Sequence, residues 1–217
     1  MRRFALKAFA ALIIVACACF RVNAQDNAAM PSDETTLKFL RDEAKAADGA
    51  GLVFVGTTIF QNTLVNSKEK CFSTRAGVVR MVDGKYRPIP SIQSRYKLLG
   101  EPKNYGPVAM KAGQYLLSSV TCRTSHFTSA GTTFRGPYAR FHVKAGELLD
   151  VGSLTLEYQS GNLLTGVGKT RTGVESTDPE RLGEVKKAMP VAMKKLLSRP
   201  MILIEPTERE VKRSAPR

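Results

Sequence analysis

The sequence predicts a mainly β protein, an antiparallel sandwich or partly open barrel with short flanking helices. Three observations favour this fold class. Apolar and polar residues alternate through much of residues 139–158, which is the period of half-buried strands. The motif Lys-Ala-Gly occurs between apolar runs at 111–113 and again at 144–146. Asp83-Gly84 separates two further strand-like runs, and this dipeptide is a strong hairpin signal. From the spacing of these signals we expect about six to eight strands.

Residues 141–158 carry the clearest pattern, which predicts two strands joined by a tight turn. Phe141 and Val143 alternate with polar neighbours, and Gly146 can take the positive φ of a short hairpin loop. Farther along, the apolar positions change parity at Gly152. One additional residue in a strand produces such a change, so we expect a β-bulge there. We interpret the segment as a hairpin that packs on another sheet or on helices.

A second copy of this pattern lies at 108–117, around its own Lys-Ala-Gly motif. Two copies are too few for a solenoid, which needs at least three repeats. The repetition therefore indicates that one antiparallel domain uses the same turn chemistry twice.

Capping and turn signals predict the remaining elements. Ser32 is expected to cap a helix that Gly49 ends. Asp178 is expected to cap a second helix, which Pro190 breaks or kinks. The polar residues 123–136 are expected to form a loop. Further strands are expected at 51–60, 78–82, 85–89, 96–99, 115–122, 163–171 and 201–204, and prolines should confine 85–89 to a sheet edge.

These elements divide the chain into five parts. They are an export signal (1–24), a polar tether with a short helix (25–50), a β-rich domain (51–177), a kinked helix with an edge strand (178–204) and a charged tail (205–217).

The first 24 residues have the composition of an export signal. A basic start precedes an apolar run that is too short to span a bilayer, and small residues precede Gln25. We expect cleavage before Gln25 and a periplasmic protein. The run Ile-Val-Ala-Cys17 also resembles a bacterial lipobox. In that alternative, Cys17 carries a lipid that anchors the protein to the membrane.

Cleavage at this site would leave two cysteines, Cys71 and Cys122. An isolated pair in an oxidising compartment more often forms a disulfide than a reactive site. We therefore expect a Cys71–Cys122 disulfide.

The chain is strongly basic. Cleavage would remove four basic residues and no acid from a net charge of +14, which leaves +10. A basic exported protein is attracted to anionic lipid head groups, lipopolysaccharide or acidic wall polymers. The alternative is that the charge only maintains solubility. Export and the lack of interleaved aromatic residues disfavour nucleic acid as a partner.

Several sequence patterns resemble chemical sites but are incomplete. Residues 166–170 resemble the end of a phosphate-binding loop, yet the required first glycine is replaced by Leu163. Cys122 and His126 could supply only part of a zinc site. Ser125 and His126 are adjacent, so on an extended chain they point to opposite sides. We therefore expect no catalytic residue, no metal and no cofactor.

The Lys-Ala-Gly turns between β-strands, behind an export signal, resemble small exported bacterial β-sandwich proteins of unknown function. In style these are similar to carboxypeptidase-regulatory-like modules. The resemblance covers residues 51 to about 158 and implies a non-catalytic module. It identifies no functional residue, and residues 178–204 depart from its pattern.

The leading interpretation is a non-enzymatic envelope module that binds an anionic polymer, a lipid head group or a protein partner. Its expected attachment to the membrane is peripheral or through a lipid anchor. The expected contact surface is the loop from Arg123 to Arg135, with His126 and Phe127, because loops on rigid sandwiches carry function. The same loop could be a linker only. Two alternative functions remain, a hydrolase or transferase assembled from distant loops and a structural subunit that pairs through β-edges.

Overall fold

The computed structural model describes residues 31–62, 68–71, 73–90, 92–95, 106–123, 131–159 and 167–212. The described residues do not include the expected export signal, Cys17, His126, Phe127 or the strand expected at 96–99.

The described chain contains two α-helices, one short 3₁₀ helix and thirteen strands. In chain order these are α1 (Asp33–Glu43), β1 (Ala50–Asn62), β2 (Lys68–Lys70), β3 (Ser73–Val82), β4 (Lys85–Pro88), β5 (Ile92–Arg95), β6 (Val108–Lys111), β7 (Gly113–Arg123), β8 (Thr132–Val143), β9 (Leu148–Gln159), β10 (Val167–Glu175), α2 (Pro179–Ala188), the 3₁₀ helix (Ala192–Lys195), β11 (Leu196–Ser198), β12 (Ile202–Leu203) and β13 (Glu208–Lys212).

The strands form two sheets. The seven-stranded sheet has the order β13-β10-β9-β1-β2, with β6 also paired to β1 and β11 to β9. The six-stranded sheet has the order β12-β8-β7-β3-β4, with β5 also paired to β3. The inward side chains of both sheets share one hydrophobic core, which includes Ile59, Leu117, Phe134, Leu154 and Tyr158. This arrangement confirms the predicted β-sandwich with flanking helices.

The predicted hairpin at 141–158 is wrong in its pairing. The turn at Gly146, whose φ is +72°, does connect β8 to β9. However, β8 pairs with β7 in one sheet, whereas β9 pairs with β1 and β10 in the other. Alternation indicates which face of a strand is buried and not which strand lies beside it. The turn therefore carries the chain from one sheet to the other.

The second Lys-Ala-Gly turn makes the same kind of crossing, since it connects β6 in the seven-stranded sheet to β7 in the six-stranded sheet. Both turns are held by adjacent residues at the start of β1. The N–H of Ala112 donates to the carbonyl of Gly49 at 2.8 Å, and the N–H of Gly146 donates to the carbonyl of Ala50 at 2.8 Å. The repeated motif thus marks two sheet crossings that meet at one end of the sandwich.

The predicted bulge at Gly152 is confirmed. Between the pairs Phe54–Asp150 and Gly56–Ser153, β9 contains one more residue than β1, and Gly152 has a φ of +79°. The Asp150 carboxylate accepts hydrogen bonds from the Gly152 N–H at 2.9 Å and from the Thr177 hydroxyl. The β1–β9 pairing is parallel, as is the β11–β9 pairing. The sandwich is therefore not entirely antiparallel.

The helices cover part of the outer face of the seven-stranded sheet. The Ser32 side chain caps α1 as predicted, but this helix ends at Glu43, before Gly49. The Asp178 side chain caps α2, which ends before Pro190. Their apolar side chains form a second cluster with outward residues of β1 and β9, and its buried members are Leu40, Leu52, Phe54, Leu148, Val185, Met189 and Ala192.

Four other segments test the sequence predictions. The β3–β4 hairpin is confirmed, with Asp83 and Gly84 at φ of +51° and +71°, and β4 lies at a sheet edge. The edge strand expected near 201–204 is also confirmed as β12. In contrast, the expected charged tail contains β13, which pairs with β10. The structure also begins β8 at Thr132, inside the segment predicted as a loop.

The structure joins Cys71 and Cys122 in a disulfide, with Cα atoms 5.6 Å apart. Cys71 lies between β2 and β3, where the chain passes between the sheets, and its N–H donates to the Ile59 carbonyl at 3.0 Å. Cys122 lies in β7. The bond therefore fixes this third crossing to the six-stranded sheet.

Candidate functional site

The outer face of the six-stranded sheet is the candidate site. On β7, Tyr115, Leu117, Val120 and Cys122 are buried toward the core, so the alternate residues point outward. On β3 the buried residues are Thr74, Ala76 and Val78, and on β8 the alternation holds on either side of the irregular stretch at Gly136 and Pro137. We call the polar part of this surface the basic face, and it consists of Arg75, Ser119, Thr121, Arg123, Thr133, Arg135, Arg140 and His142.

The basic face is built by the register of three neighbouring strands. Arg75 of β3 pairs with Thr121 of β7, which pairs with Thr133 of β8. The Thr121 and Thr133 hydroxyls are 2.9 Å apart and share a hydrogen bond. This row fixes polar side chains across the middle of the sheet.

The arginines extend from this row in both directions. Arg123 is two residues beyond Thr121, so standard strand spacings place it about 8 Å from Arg75. Arg135 lies opposite Ser119 on the other side of the row. Arg75, Arg135 and Arg140 are exposed. Guanidinium groups present several N–H donors in a planar fork and bind carboxylates and phosphates in pairs of hydrogen bonds.

The charged residues on the described strands of this sheet all have the same sign. None of its six strands contains Asp or Glu within the described chain, although Arg or Lys occurs on five of them. The strands of the seven-stranded sheet carry both signs, as in the 3.7 Å pair between Arg171 and Glu208. A surface whose strands carry one sign of charge attracts anions from a distance.

Two of the four predicted contact residues lie among the residues that the structure describes on this surface. Arg123 and Arg135 both lie on the basic face, but standard strand spacings separate their Cα atoms by about 14 Å. They belong to strands, whereas the prediction placed them in a loop. His126 and Phe127 are outside the described residues. Sequence reasoning missed Arg75 and Arg140.

A charge count over a longer window could have found the missed residues. Residues 71–143 contain eleven Lys and Arg residues and only two acids, Asp83 and Glu101. Blocks of one charge sign are a recognised signal for an interaction surface. The signal remained hidden because the basic residues are spread along several strands and meet only after the sheet forms.

The end of the sandwich where the two Lys-Ala-Gly turns meet has its own polar cluster. Arg80 donates to the Ala112 carbonyl at 2.6 Å, and the Tyr115 hydroxyl donates to the Lys111 carbonyl. Burial raises the pKa of Tyr115 to about 12, although Arg80 acts in the opposite direction. These groups are engaged with the backbone of the turn, so they hold the crossing in place.

The other Lys-Ala-Gly turn is held by charged groups near the surface. Arg199 bonds the Glu147 carboxylate at 2.9 Å and the His142 carbonyl at 3.1 Å. The second oxygen of Glu147 accepts from the Lys144 N–H at 3.1 Å. Each group of this cluster therefore stabilises the fold locally.

The described ranges also show where the potential metal ligands and the residues resembling a phosphate-binding loop lie. No group of three His, Cys, Asp or Glu side chains is placed there to hold a metal ion. Lys169 and Thr170 lie within β10, and the chain continues as a strand to Glu175. A phosphate-binding loop would lead into a helix at that point.

Comparison with known proteins identifies no relative, since no family model, no curated protein and no solved structure matches this chain. None of the helices in the described ranges has the length and apolar character needed to cross a membrane.

Proposed function

We propose that this protein is a non-enzymatic, exported envelope module that binds an anionic polymer or surface through its basic face. The observation that carries the proposal is the separation of charge between the two sheets. Arginines accumulate on the outer face of one sheet, which none of the described helices covers and whose described strands contain no acid. On the other sheet the charges are mixed, and helices cover part of the face.

The side chains of the basic face suit anions in general. Arginines offer forked donors, and the hydroxyls of Ser119, Thr121 and Thr133 lie between them. Such a surface can bind phosphate, carboxylate or sulfate groups that are repeated along a polymer or a membrane. Binding to many sites through one rigid sheet requires little loss of conformational freedom.

Binding to inorganic polyphosphate tests this function. The protein should bind the polymer at low ionic strength, and the affinity should fall steeply as salt screens the charges. Replacing Arg123, Arg135 and Arg140 together by Gln should weaken binding on the order of a hundredfold, since each cation near an anionic surface contributes about 1 kcal/mol. Isothermal titration calorimetry across a salt series measures both effects.

The matched control replaces Lys169, Lys186 and Lys187 by Gln. These three exposed residues lie on the seven-stranded sheet and on α2, so the net charge changes equally. We expect the control to retain most of the affinity. Equal losses in both variants would mean that binding follows net charge and not the basic face, and salt-independent binding would also contradict the proposal.

Export is the second part of the proposal, and it predicts the mature N-terminus. Protein recovered from the cell envelope should begin at Gln25, or at a lipid-modified Cys17 if the alternative signal is used. N-terminal sequencing together with intact mass measurement distinguishes the two. Recovery of protein that begins at Met1 in the cytoplasmic fraction would contradict export.

A further inference from the structure

An apolar band crosses the outer face of the six-stranded sheet beside the basic face. The register places Ile202 of β12 opposite Arg140 of β8, and Arg140 opposite Leu116 of β7. Leu116 in turn lies opposite Val79 of β3. Met81 pairs with Tyr86 of β4 one row farther along. We define the apolar band as Val79, Met81, Tyr86, Leu116 and Ile202.

The two ends of the band are the most exposed. Ile202 is 59% exposed and Tyr86 is 47% exposed. They lie on opposite outer strands of the order β12-β8-β7-β3-β4, so standard interstrand distances separate them by roughly 19 Å. A partner that covers these side chains would gain free energy of binding from the apolar area removed from water.

The combination of this band with the arginines discriminates between anionic partners. A soluble polyanion needs only the charges, and the apolar side chains would gain nothing from it. A protein partner would be expected to present both charge signs, and the described strands of this sheet carry only one. An anionic bilayer surface offers phosphates for arginines and an adjoining apolar layer for aromatic and aliphatic side chains.

We propose that the outer face of the six-stranded sheet lies on an anionic lipid bilayer, with Tyr86 and Ile202 inserted at the level of the head groups. The arginines of the basic face contact lipid phosphates. Among them, Arg140 pairs directly with Ile202 of the apolar band. This inference rests on the proposed anion-binding function and specifies its partner. Binding to a soluble polymer without binding to the bilayer is the alternative outcome of the test.

A tryptophan reporter tests the inserted position directly. The chain contains no tryptophan, so a Tyr86→Trp variant gives tryptophan fluorescence from one site only. Vesicles of phosphatidylglycerol and phosphatidylcholine in equal amounts should shift its emission to shorter wavelength, and lipids brominated on the acyl chain should quench it. Vesicles of phosphatidylcholine alone should produce a much smaller change at the same protein concentration.

The matched control is Val191→Trp. Val191 is 50% exposed, close to the value for Tyr86. It precedes the 3₁₀ helix on the opposite side of the molecule, where its N–H donates to Asp33. We expect its emission to remain unchanged by vesicles. An equal shift at both positions, or a shift at Val191→Trp alone, would overturn the proposed orientation.

The contribution of the apolar band is measured by a Tyr86→Ser, Ile202→Ser double variant in vesicle sedimentation. We expect vesicle affinity to fall on the order of tenfold, while polyphosphate affinity remains unchanged. Far-ultraviolet circular dichroism verifies that the variant is folded, and the reporter variant tests insertion independently of it.

The possible outcomes separate the two proposals. If wild-type protein binds polyphosphate but not the phosphatidylglycerol vesicles, the bilayer inference is wrong and the anion-binding function stands. Vesicle binding without a spectral shift at Tyr86→Trp also overturns the inference. If neither probe binds at low salt, both proposals are wrong.

Discussion

The outer faces of the two sheets differ in composition and in the elements that pack on them. The seven-stranded sheet places apolar residues of β1 and β9 on its outer face and covers them with helices. The six-stranded sheet is apolar mainly on its inner face, and its outer face carries arginines, hydroxyls and the apolar band. The first outer face therefore contributes to stability, whereas no described helix packs on the second.

Two central strands illustrate the difference. In β9, consecutive residues from Leu148 to Gly152 are all buried, because one side faces the core and the other faces the helices. In β7, buried residues alternate with more exposed ones. A strand that is apolar on both faces belongs under a second layer, and a strand that alternates belongs at a surface.

Of the changes considered, removal of the disulfide should lower the stability most. The bond attaches a sheet crossing to the six-stranded sheet, on which no described helix packs. Replacing Cys71 and Cys122 together by Ser opens a loop with a sequence separation of 51. We expect the free energy of unfolding to fall by about 4 kcal/mol, mainly because the unfolded chain gains conformational freedom. Urea denaturation of oxidised wild-type protein and of the variant measures the difference, and equal midpoints would contradict the structural role.

A pair of Leu→Ala substitutions compares the outer faces directly. Leu148 is 1% exposed on the outer face of the seven-stranded sheet, and Leu116 is partly exposed on the outer face of the other. Leu148→Ala should destabilise the protein by about 3 kcal/mol, because it leaves a cavity under the helices. Leu116→Ala should cost about 1 kcal/mol, because it loses less buried area. Similar losses in chemical denaturation would mean that both outer faces are buried alike.

A tyrosine on the inner face of the six-stranded sheet and one on its outer face should contribute differently to the loss of stability in alkaline solution. Tyr115 has a folded-state pKa of about 12, above the ordinary value of about 10. The fold therefore favours the neutral phenol, and this stabilisation is complete below pH 10 and is lost as the pH rises toward 12. The expected loss is at most about 1.4 kcal/mol per pH unit.

Urea denaturation at pH 8, 10 and 11 measures the alkaline loss. Tyr115→Phe should reduce it, whereas Tyr86→Phe, at an exposed position, should leave it unchanged. An identical pH dependence in wild-type protein and in both variants would show that burial of Tyr115 is not its source.

The sequence was sufficient for features that local chemistry determines. The β3–β4 hairpin followed from Asp83-Gly84, and the bulge followed from the parity change at Gly152. The caps at Ser32 and Asp178 followed from side chains that accept backbone N–H groups. Each of these depends on residues close together in the chain.

The sheet that a strand joins depends on distant residues, and there the prediction for residues 141–158 failed. The turn at Gly146 was predicted at the correct position, but the strands that it connects lie in different sheets. A tight turn can place the next strand beside the preceding one or in the opposite sheet, and the local sequence does not distinguish the two. The basic face was missed for the same reason. Arg75 and Arg140 come together only through the pairing of β3, β7 and β8.

The parallel pairing of β1 with β9 has a consequence for how the chain reaches this structure. Thr57 pairs with Leu154, so β1 obtains this partner only after about one hundred further residues have been synthesised. Contacts of such high sequence separation slow folding, because the loop must close before the pairing stabilises it. The chain should therefore remain unfolded for an extended time after synthesis begins, with the apolar strand β1 exposed to aggregation or to a chaperone. Such a delay would also keep the chain in the unfolded condition that passage through a narrow translocation channel requires.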